Sequence, residues 1–453
     1  MRTATKLLPF ALLAIPAAAQ SPQSARYDDH QRYARAIAAG YKAYNLCDGL
    51  FTAGRSERQV EALELRGIYP EYDALVPTLA ARIDRAGRTV SVAFDPAQPP
   101  RHASWAAGAG CTLAPIGAEA IARAPAPGLP RAPEPDPRRW PLGDANIAPR
   151  PAPALAGAVA RAFEGAYGRG TETLGVVVLR DGQVVAERYR DGFGPYVPNR
   201  TWSVAKSITG TLVGMSGVDP LRPATVPEWR RAGDPRARIT LDQLLRMSSG
   251  LHSDTAGNRT DALYFGGTAV TEQATGWPLS SRPGTHFRYA NNDILLAVRA
   301  LRASLGEARY RALPARLLAP LGMRHTVIES DWQGNYLLSS AVWTTARDLA
   351  RLGQFWLQDG VWEGRRLLPA GWMRYMTTPR LPQPERDEGY GASIWLFGAR
   401  QGLPAGSYSA QGNRGQYVMV VPSERLVVVR RGEDPTGARF DVARFTADVI
   451  AAR

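Results

Sequence analysis

Lysine is nearly missing from this chain. Of 55 basic residues only Lys6, Lys42 and Lys206 are lysines; wherever a lasting positive charge suffices, the sequence uses arginine. Cysteine is almost as scarce. Cys47 and Cys111 are the whole complement, which excludes a multi-cysteine zinc site and a disulfide-dense scaffold. The five histidines (30, 102, 252, 286 and 325) are scattered, with no ligand spacing among themselves or to the cysteines, so neither a metal nor a cofactor is expected. Beyond the first residues no run of about 18 unbroken apolar residues occurs, and no transmembrane segment is expected. Basic residues form no long run and no alternation with aromatics. The formal charge of +14 therefore reads as arginine-rich composition and not as a nucleic-acid footprint.

What is present divides the chain. A length of 453 residues suggests two or three domains, and 45% apolar-class residues suffice for a sizeable core. Met1 to Lys6 is a basic start, Leu7 to Ile15 is apolar and Ala17 to Ala19 are small. That pattern predicts a secretory signal peptide over 1–19, hence an exported chain, periplasmic or secreted. In an oxidising compartment Cys47 and Cys111 are expected to pair. Residues 20–122 read as a small α+β module stapled by that disulfide, with a helix over Tyr27–Asn45 and a strand over Arg88–Phe94. Prolines recur from 125 to 153, which predicts an extended linker over 123–153. Residues 154–453 form the remaining domain. There Asp181-Gly182 joins two strand-like runs as a hairpin, and further strands are expected over 391–397, 416–421 and 425–430, before a last helix from Asp441.

Lysine scarcity draws attention to Thr201-Trp-Ser-Val-Ala-Lys-Ser-Ile-Thr-Gly210. Residues three apart share a helix face, so the Lys206 amine hangs beside the Ser203 hydroxyl. A serine hydroxyl is a weak nucleophile until a base takes its proton. Neutral lysine can be that base, whereas arginine stays protonated in a protein. Burial must then pull the lysine well below its usual pKa of about 10.4. Ser-x-x-Lys alone is a weak motif, equally compatible with a helix cap and a solvated lysine. No Gly-x-Ser-x-Gly elbow surrounds Ser203, so a Ser-His-Asp triad is not expected. Two further segments add chemistry. Tyr289-Ala-Asn291 stands between a Pro-Gly turn and an apolar helix, where a phenol can move a proton and an amide can hold the lysine or a carbonyl. In Ala410-Gln-Gly-Asn-Arg-Gly-Gln416, Gly415 lets backbone approach a ligand closely, and the N–H of Gln416 is expected to join that of Ser203 as an oxyanion hole.

In this order and spacing the three elements resemble the serine β-lactamase and penicillin-binding-protein superfamily over about residues 155–450. The nearer likeness is to its class C-type branch, which includes carboxylesterases and 6-aminohexanoate-dimer hydrolases. Leu244 to Leu251, Pro320 to Met323 and Ser340 to Leu349 are similar to recurrent segments of that branch. The resemblance implies an α/β (α+β) fold: an antiparallel sheet flanked by terminal helices, with a large helical insertion. It implies Ser203 as the acylated nucleophile, Lys206 as its base, Tyr289 as a second acid/base and Asn291 at the third active-site position. Penicillin-recognising members carry Lys-Thr-Gly, or a His variant, before the oxyanion strand. Here Asn413-Arg414-Gly415 stand in that place, leaving Arg414 as a partial substitute for the carboxylate-reading lysine. The departure favours hydrolysis of a small-molecule ester or amide over β-lactamase or DD-peptidase activity. In amide-cleaving relatives a tyrosine from the helical-domain loop assists, and Tyr264 is the nearest candidate. A catalytically silent envelope-binding protein of the same fold is the alternative from another class.

Overall fold

The computed structural model describes residues 22–67, 69–119, 133–253 and 260–452. The signal peptide expected over 1–19 and residues 123–132 of the expected linker lie outside them. Helix α1 (Pro22–Cys47) is alanine-rich and buried from Ala36 onwards. It lies on a four-stranded antiparallel sheet of β1 (Ala81–Asp84), β2 (Thr89–Val92), β3 (Arg101–Ala106) and β4 (Gly110–Leu113), paired in that order. Small side chains at Ala36, Ala39 and Ala43 let the helix sit close to the sheet, and Val90 and Val92 are fully buried. The Cys47–Cys111 disulfide ties the end of α1 to β4, with Cα atoms 6.2 Å apart.

Residues 133–152 do not run as the extended spacer their prolines suggest. Trp140 is buried and donates from Nε1 to the Gly182 carbonyl at 2.8 Å. Arg351 donates to the carbonyls of Pro141 at 2.5 Å and Gly143 at 2.9 Å. Proline cannot donate a backbone bond, but its carbonyl still accepts, and a distant arginine supplies what the segment lacks.

The larger part begins with α2 (Pro153–Phe163) and the hairpin β5 (Thr173–Arg180) and β6 (Gln183–Tyr189). Its turn residues Asp181 and Gly182 both have positive φ, 51° and 78°, as a tight hairpin requires. Helices α3 (Val204–Ser216), α4 (Asn291–Leu305) and α5 (Ala346–Leu357) follow. The chain closes with β7 (Gly389–Tyr390), β8 (Trp395–Phe397), β9 (Ser407–Gly412), β10 (Gln416–Val421), β11 (Leu426–Gly432) and α6 (Val442–Ala451). These strands make one seven-stranded antiparallel sheet in the order β7-β8-β9-β10-β11-β5-β6. The end of the chain thus pairs with the start of this part, β11 against β5. Val176 to Leu179, Val418 to Val421 and Val427 to Val429 are all buried, as strands covered on both faces must be. Helices α2 and α6 pack together on the sheet, and α5 lies across β5, β10 and β11. Each such valine contributes roughly 1.5–3 kcal/mol by leaving water.

The strand expected over 391–397 forms only from Trp395. Gly391 N–H instead bonds to the Ile394 carbonyl, and Ser393 sits at φ 62°. This turn docks on α3, where Ser207 Oγ donates to the Ser393 carbonyl at 2.5 Å. Among the described residues no helix is long and apolar enough to cross a membrane.

Candidate active site

Ser203 opens α3. The residue before it, Trp202, has φ 50°, a left-handed backbone that is costly for a bulky side chain and that clusters at functional sites. Ser203 occupies the helix cap, yet its side chain caps no helix amide. Its Oγ lies 2.8 Å from Lys206 Nζ instead. The i, i+3 spacing therefore produces a serine–lysine contact and not a cap beside a solvated lysine.

Lys206 is 1% exposed. Its amine meets Ser203 Oγ, Asn291 Oδ1 at 2.6 Å and the Ser339 carbonyl at 2.8 Å. No carboxylate pairs with it among the described residues, and burial pushes its pKa well below the usual lysine value. Asn291 Oδ1 and the Ser339 carbonyl can only accept. A neutral amine satisfies both with its two N–H groups and leaves its lone pair to the one neighbour that can donate, the serine hydroxyl.

Tyr289 approaches from the other side. Burial raises its pKa to about 12, opposed in part by its side-chain interaction with Ser203. The phenol therefore stays protonated at neutral pH and can relay a proton without becoming a phenolate. Its ring lies 5.3 Å from that of Trp395 and 5.9 Å from that of Tyr390, and Lys206 Nζ is 5.1 Å from its centroid. Asn291 also donates from Nδ2 to Thr260 Oγ1 at 3.3 Å. Tyr264, on the short helix Asp261–Tyr264, shares a short hydrogen bond with Ser339 Oγ. Burial raises its pKa as well. Lysine, asparagine, Thr260, Tyr264 and Ser339 thus close a ring of polar contacts behind the serine.

These groups face a cavity of about 700 Å³. Ser203, Tyr264, Tyr289 and Asn291 line it, together with Trp202, Arg386, Trp395 and the segment from Gln411 to Arg414. Arg386 stacks over Trp395 at 5.5 Å and bears on Tyr289 electrostatically, lowering its pKa slightly against the burial effect.

The turn after β9 departs from the expected arrangement. Gly412 pairs with Gln416 across a three-residue turn, and the cavity is bordered by Gly412, Asn413 and Arg414, not by Gly415 or Gln416. A Cβ on Gly412 would lie 2.1 Å from the Thr201 carbonyl and 3.0 Å from Ser203 N. The end of β9 therefore passes directly beside the Ser203 amide, and Asn413 is the next residue. Gln416 faces inward instead: its Nε2 donates to the Arg414 carbonyl at 3.2 Å, and its Oε1 accepts from Arg431 at 2.7 Å. Gly415 has φ 76° and serves the turn. Arg414 does not offer its guanidinium to the cavity. It donates to the carbonyls of Asp434 (3.2 Å), Glu64 (3.3 Å), Arg66 (2.9 Å) and Glu433 (3.2 Å), and pairs with the Glu433 carboxylate at 3.0 Å. These partners draw the guanidinium away from the cavity and towards Glu433.

Sequence reasoning passed over Gly412, Asn413, Thr260 and Ser339. Only Gly412 carried a signal, as the first glycine of Gly-x-x-Gly. Asp293 was also missed. It sits buried with its pKa raised to about 7 by burial and accepts from Ser249 Oγ at 2.8 Å, which fixes the Leu244–Leu251 segment to α4. Among the described residues no three His, Cys, Asp or Glu side chains converge as metal ligands.

A helix that opens on a serine beside an antiparallel strand, in a sheet closed by terminal helices, is the architecture of serine hydrolases with the β-lactamase fold. The chain belongs to the β-lactamase family, whose model matches residues 144–452. It is 29% identical over 299 residues to the 6-aminohexanoate-dimer hydrolase of Paenarthrobacter ureafaciens, covering 57% of this chain and 72% of that protein. Among solved structures it is similar to a Bacillus anthracis protein assigned provisionally to the 6-aminohexanoate-dimer hydrolases, with TM-score 0.54 and 21% identity over 62% of this chain and 78% of that one. A class C β-lactamase matches with TM-score 0.50 and 15% identity, over 66% and 95% of the two chains. Both structures share the fold.

Proposed function

We propose that the chain is an exported serine hydrolase that cleaves an ester or small amide bond through an acyl-enzyme. Neutral Lys206, directly or through Tyr289, takes the proton of Ser203 Oγ as that oxygen attacks the substrate carbonyl carbon. The developing oxyanion is held by two backbone N–H groups, those of Ser203 and Asn413. The proton passes to the departing oxygen or nitrogen, with Tyr289 as the donor. A water molecule, deprotonated by the same lysine, then attacks the acyl-serine and releases the acid. Asn291 and Ser339 hold the amine in place, and Tyr264 supports that arrangement from the cavity wall.

The observation that carries this reading is the 2.8 Å contact between Lys206 Nζ and Ser203 Oγ, with no carboxylate paired to the amine among the described residues. A charged lysine finds no counter-ion among them; a neutral one finds a proton donor. The activity named for the Paenarthrobacter relative supports a short linear amide as a substrate class, with esters as convenient reporters. The disulfide supports export behind a leader over 1–19. The turning of Arg414 towards Glu433 and backbone carbonyls argues against β-lactam or D-alanyl-peptide recognition.

The test is hydrolysis of p-nitrophenyl acetate and of the 6-aminohexanoate dimer by the mature protein, Ser203→Ala and Lys206→Arg. Both variants should lose roughly 10⁴-fold in kcat, and the wild type should show a trapped acyl group on Ser203 by mass spectrometry. Activity in Ser203→Ala would end the nucleophile assignment. Faster turnover of a chromogenic cephalosporin than of any ester or amide would move the enzyme to the β-lactamases.

A further inference from the structure

One wall of the catalytic cavity comes from outside the part of the chain that the family accounts for. The family match begins at residue 144, yet Gly67, Tyr69, Pro70 and Glu71 line the same cavity as Ser203. Tyr69 caps the short helix Pro70–Asp73. Gly67 N–H donates to Asp73 Oδ1 at 3.1 Å, and Gly67 itself has φ 67°, a conformation that suits glycine. Gly67 and this helix are also fastened to the hydrolase part. The Gly67 carbonyl accepts from Thr436 N at 2.6 Å and from Thr436 Oγ1 at 2.9 Å. Tyr72 OH donates to Asp261 Oδ2 at 2.6 Å, at the start of the helix that bears Tyr264. Between these anchors, Tyr69 is held edge-on against Tyr72 at 5.7 Å and against Phe265 at 6.3 Å. A residue fixed by two ring contacts cannot swing aside freely to admit a longer chain.

We propose that Tyr69 and Pro70, at the start of the short helix Pro70–Asp73, form a specificity wall that limits the length of the substrate chain accepted beside Ser203. The cleft then takes short linear esters and amides, and the N-terminal unit of this chain, not its hydrolase part, sets the limit. The inference rests on Ser203 being the nucleophile of the reaction proposed above. It assigns the residues before 122 a role in substrate choice.

The experiment measures kcat/KM for p-nitrophenyl acetate, butyrate, hexanoate and octanoate with the wild type, Tyr69→Ala and Tyr69→Trp, with Ser203→Ala as control. In the wild type the octanoate-to-acetate ratio should be low. One methylene fitted or refused in an apolar pocket changes kcat/KM by about tenfold or more. Tyr69→Ala should accordingly raise that ratio at least about tenfold, chiefly through KM, and Tyr69→Trp should lower it. If the alanine variant does not fold, the tryptophan variant alone decides. A ratio within about twofold of wild type in a folded variant overturns the wall while leaving the serine hydrolase standing. Hydrolysis that survives Ser203→Ala overturns the serine reading, and the wall with it.

Discussion

Gly412→Ala is the sharpest probe of how the site is built. The added methyl would sit 2.1 Å from the Thr201 carbonyl oxygen and 3.0 Å from Ser203 N. Both obstacles are backbone, so neither can rotate away. Real contacts of a Cβ essentially never fall below 3.0 Å, so the end of β9 must retreat by about 1 Å. That retreat carries Asn413 away from the oxyanion position, and a misplacement of about 1 Å in a catalytic constellation costs about 100-fold in rate. Overpacking adds a loss of about 1–3 kcal/mol in stability. Turnover of p-nitrophenyl acetate should therefore show kcat down about 100-fold, with a small change in KM and a lowered but cooperative melting transition. Gln416→Ala is the counter-probe. It removes side-chain bonds to the Arg414 carbonyl and Arg431 but keeps every backbone N–H, so it should lower the melting temperature without a selective loss of kcat. A Gly412→Ala enzyme with wild-type kcat would refute the placement of the oxyanion hole at Asn413.

Three further outcomes follow from buried groups. Arg414→Met leaves the Glu433 carboxylate buried without its partner, so unfolding in denaturant should show a loss of about 3–5 kcal/mol; a selective rise in KM for carboxylate-bearing substrates alone would contradict this structural role. Asp48 and Glu329 both accept from Cys111 N–H, at 3.3 and 2.8 Å, and burial raises Asp48 to about 6. A carboxyl with a raised folded pKa favours folding when protonated, so its contribution is greatest below about pH 4 and is lost as pH rises through 6. Asp48→Asn should flatten the melting temperature between pH 4 and 7, and parallel curves for the two proteins would count against it. Reducing Cys47–Cys111 opens a 64-residue loop, and should cost about 4 kcal/mol on the chain-entropy argument, read as a lowered denaturant midpoint in dithiothreitol.

The hairpin at Asp181-Gly182, the terminal helices and the valine-rich strands were legible because local chemistry and tertiary packing ask for the same thing. β9 was not. Its sequence, Ser-Tyr-Ser-Ala-Gln-Gly, has no β-branched residue and reads as a loop by propensity. It becomes a strand because β8 and β10 pair with it on both sides. That single omission left Gly412 and Asn413 out of the expected site. Gly412 and Gly415 bracket one turn, and composition cannot say which arm faces the serine. The register Gly412 against Gln416 and the passage of Gly412 beside Ser203 N decide it. The proline-rich stretch failed for a related reason. Prolines exclude ladder bonds, but they do not reveal that Arg351, some 200 residues later, will bond to the Pro141 carbonyl.

Lysine scarcity pointed to Lys206, but by itself it is an incomplete reason. Lys42 is equally rare and also buried, and its amine donates to the carbonyls of Val76 at 3.2 Å and Leu79 at 2.8 Å. Both of those partners can only accept, and neither can hand the amine a proton. Lys206 differs by one neighbour, the Ser203 hydroxyl, which can donate. The arginines mark the opposite case. Arg430 is fully buried against Asp434 at 2.7 Å, a contact that requires a charge that persists. Residue type alone therefore does not separate structural cations from chemical ones; each buried cation has to be considered with the atoms it faces.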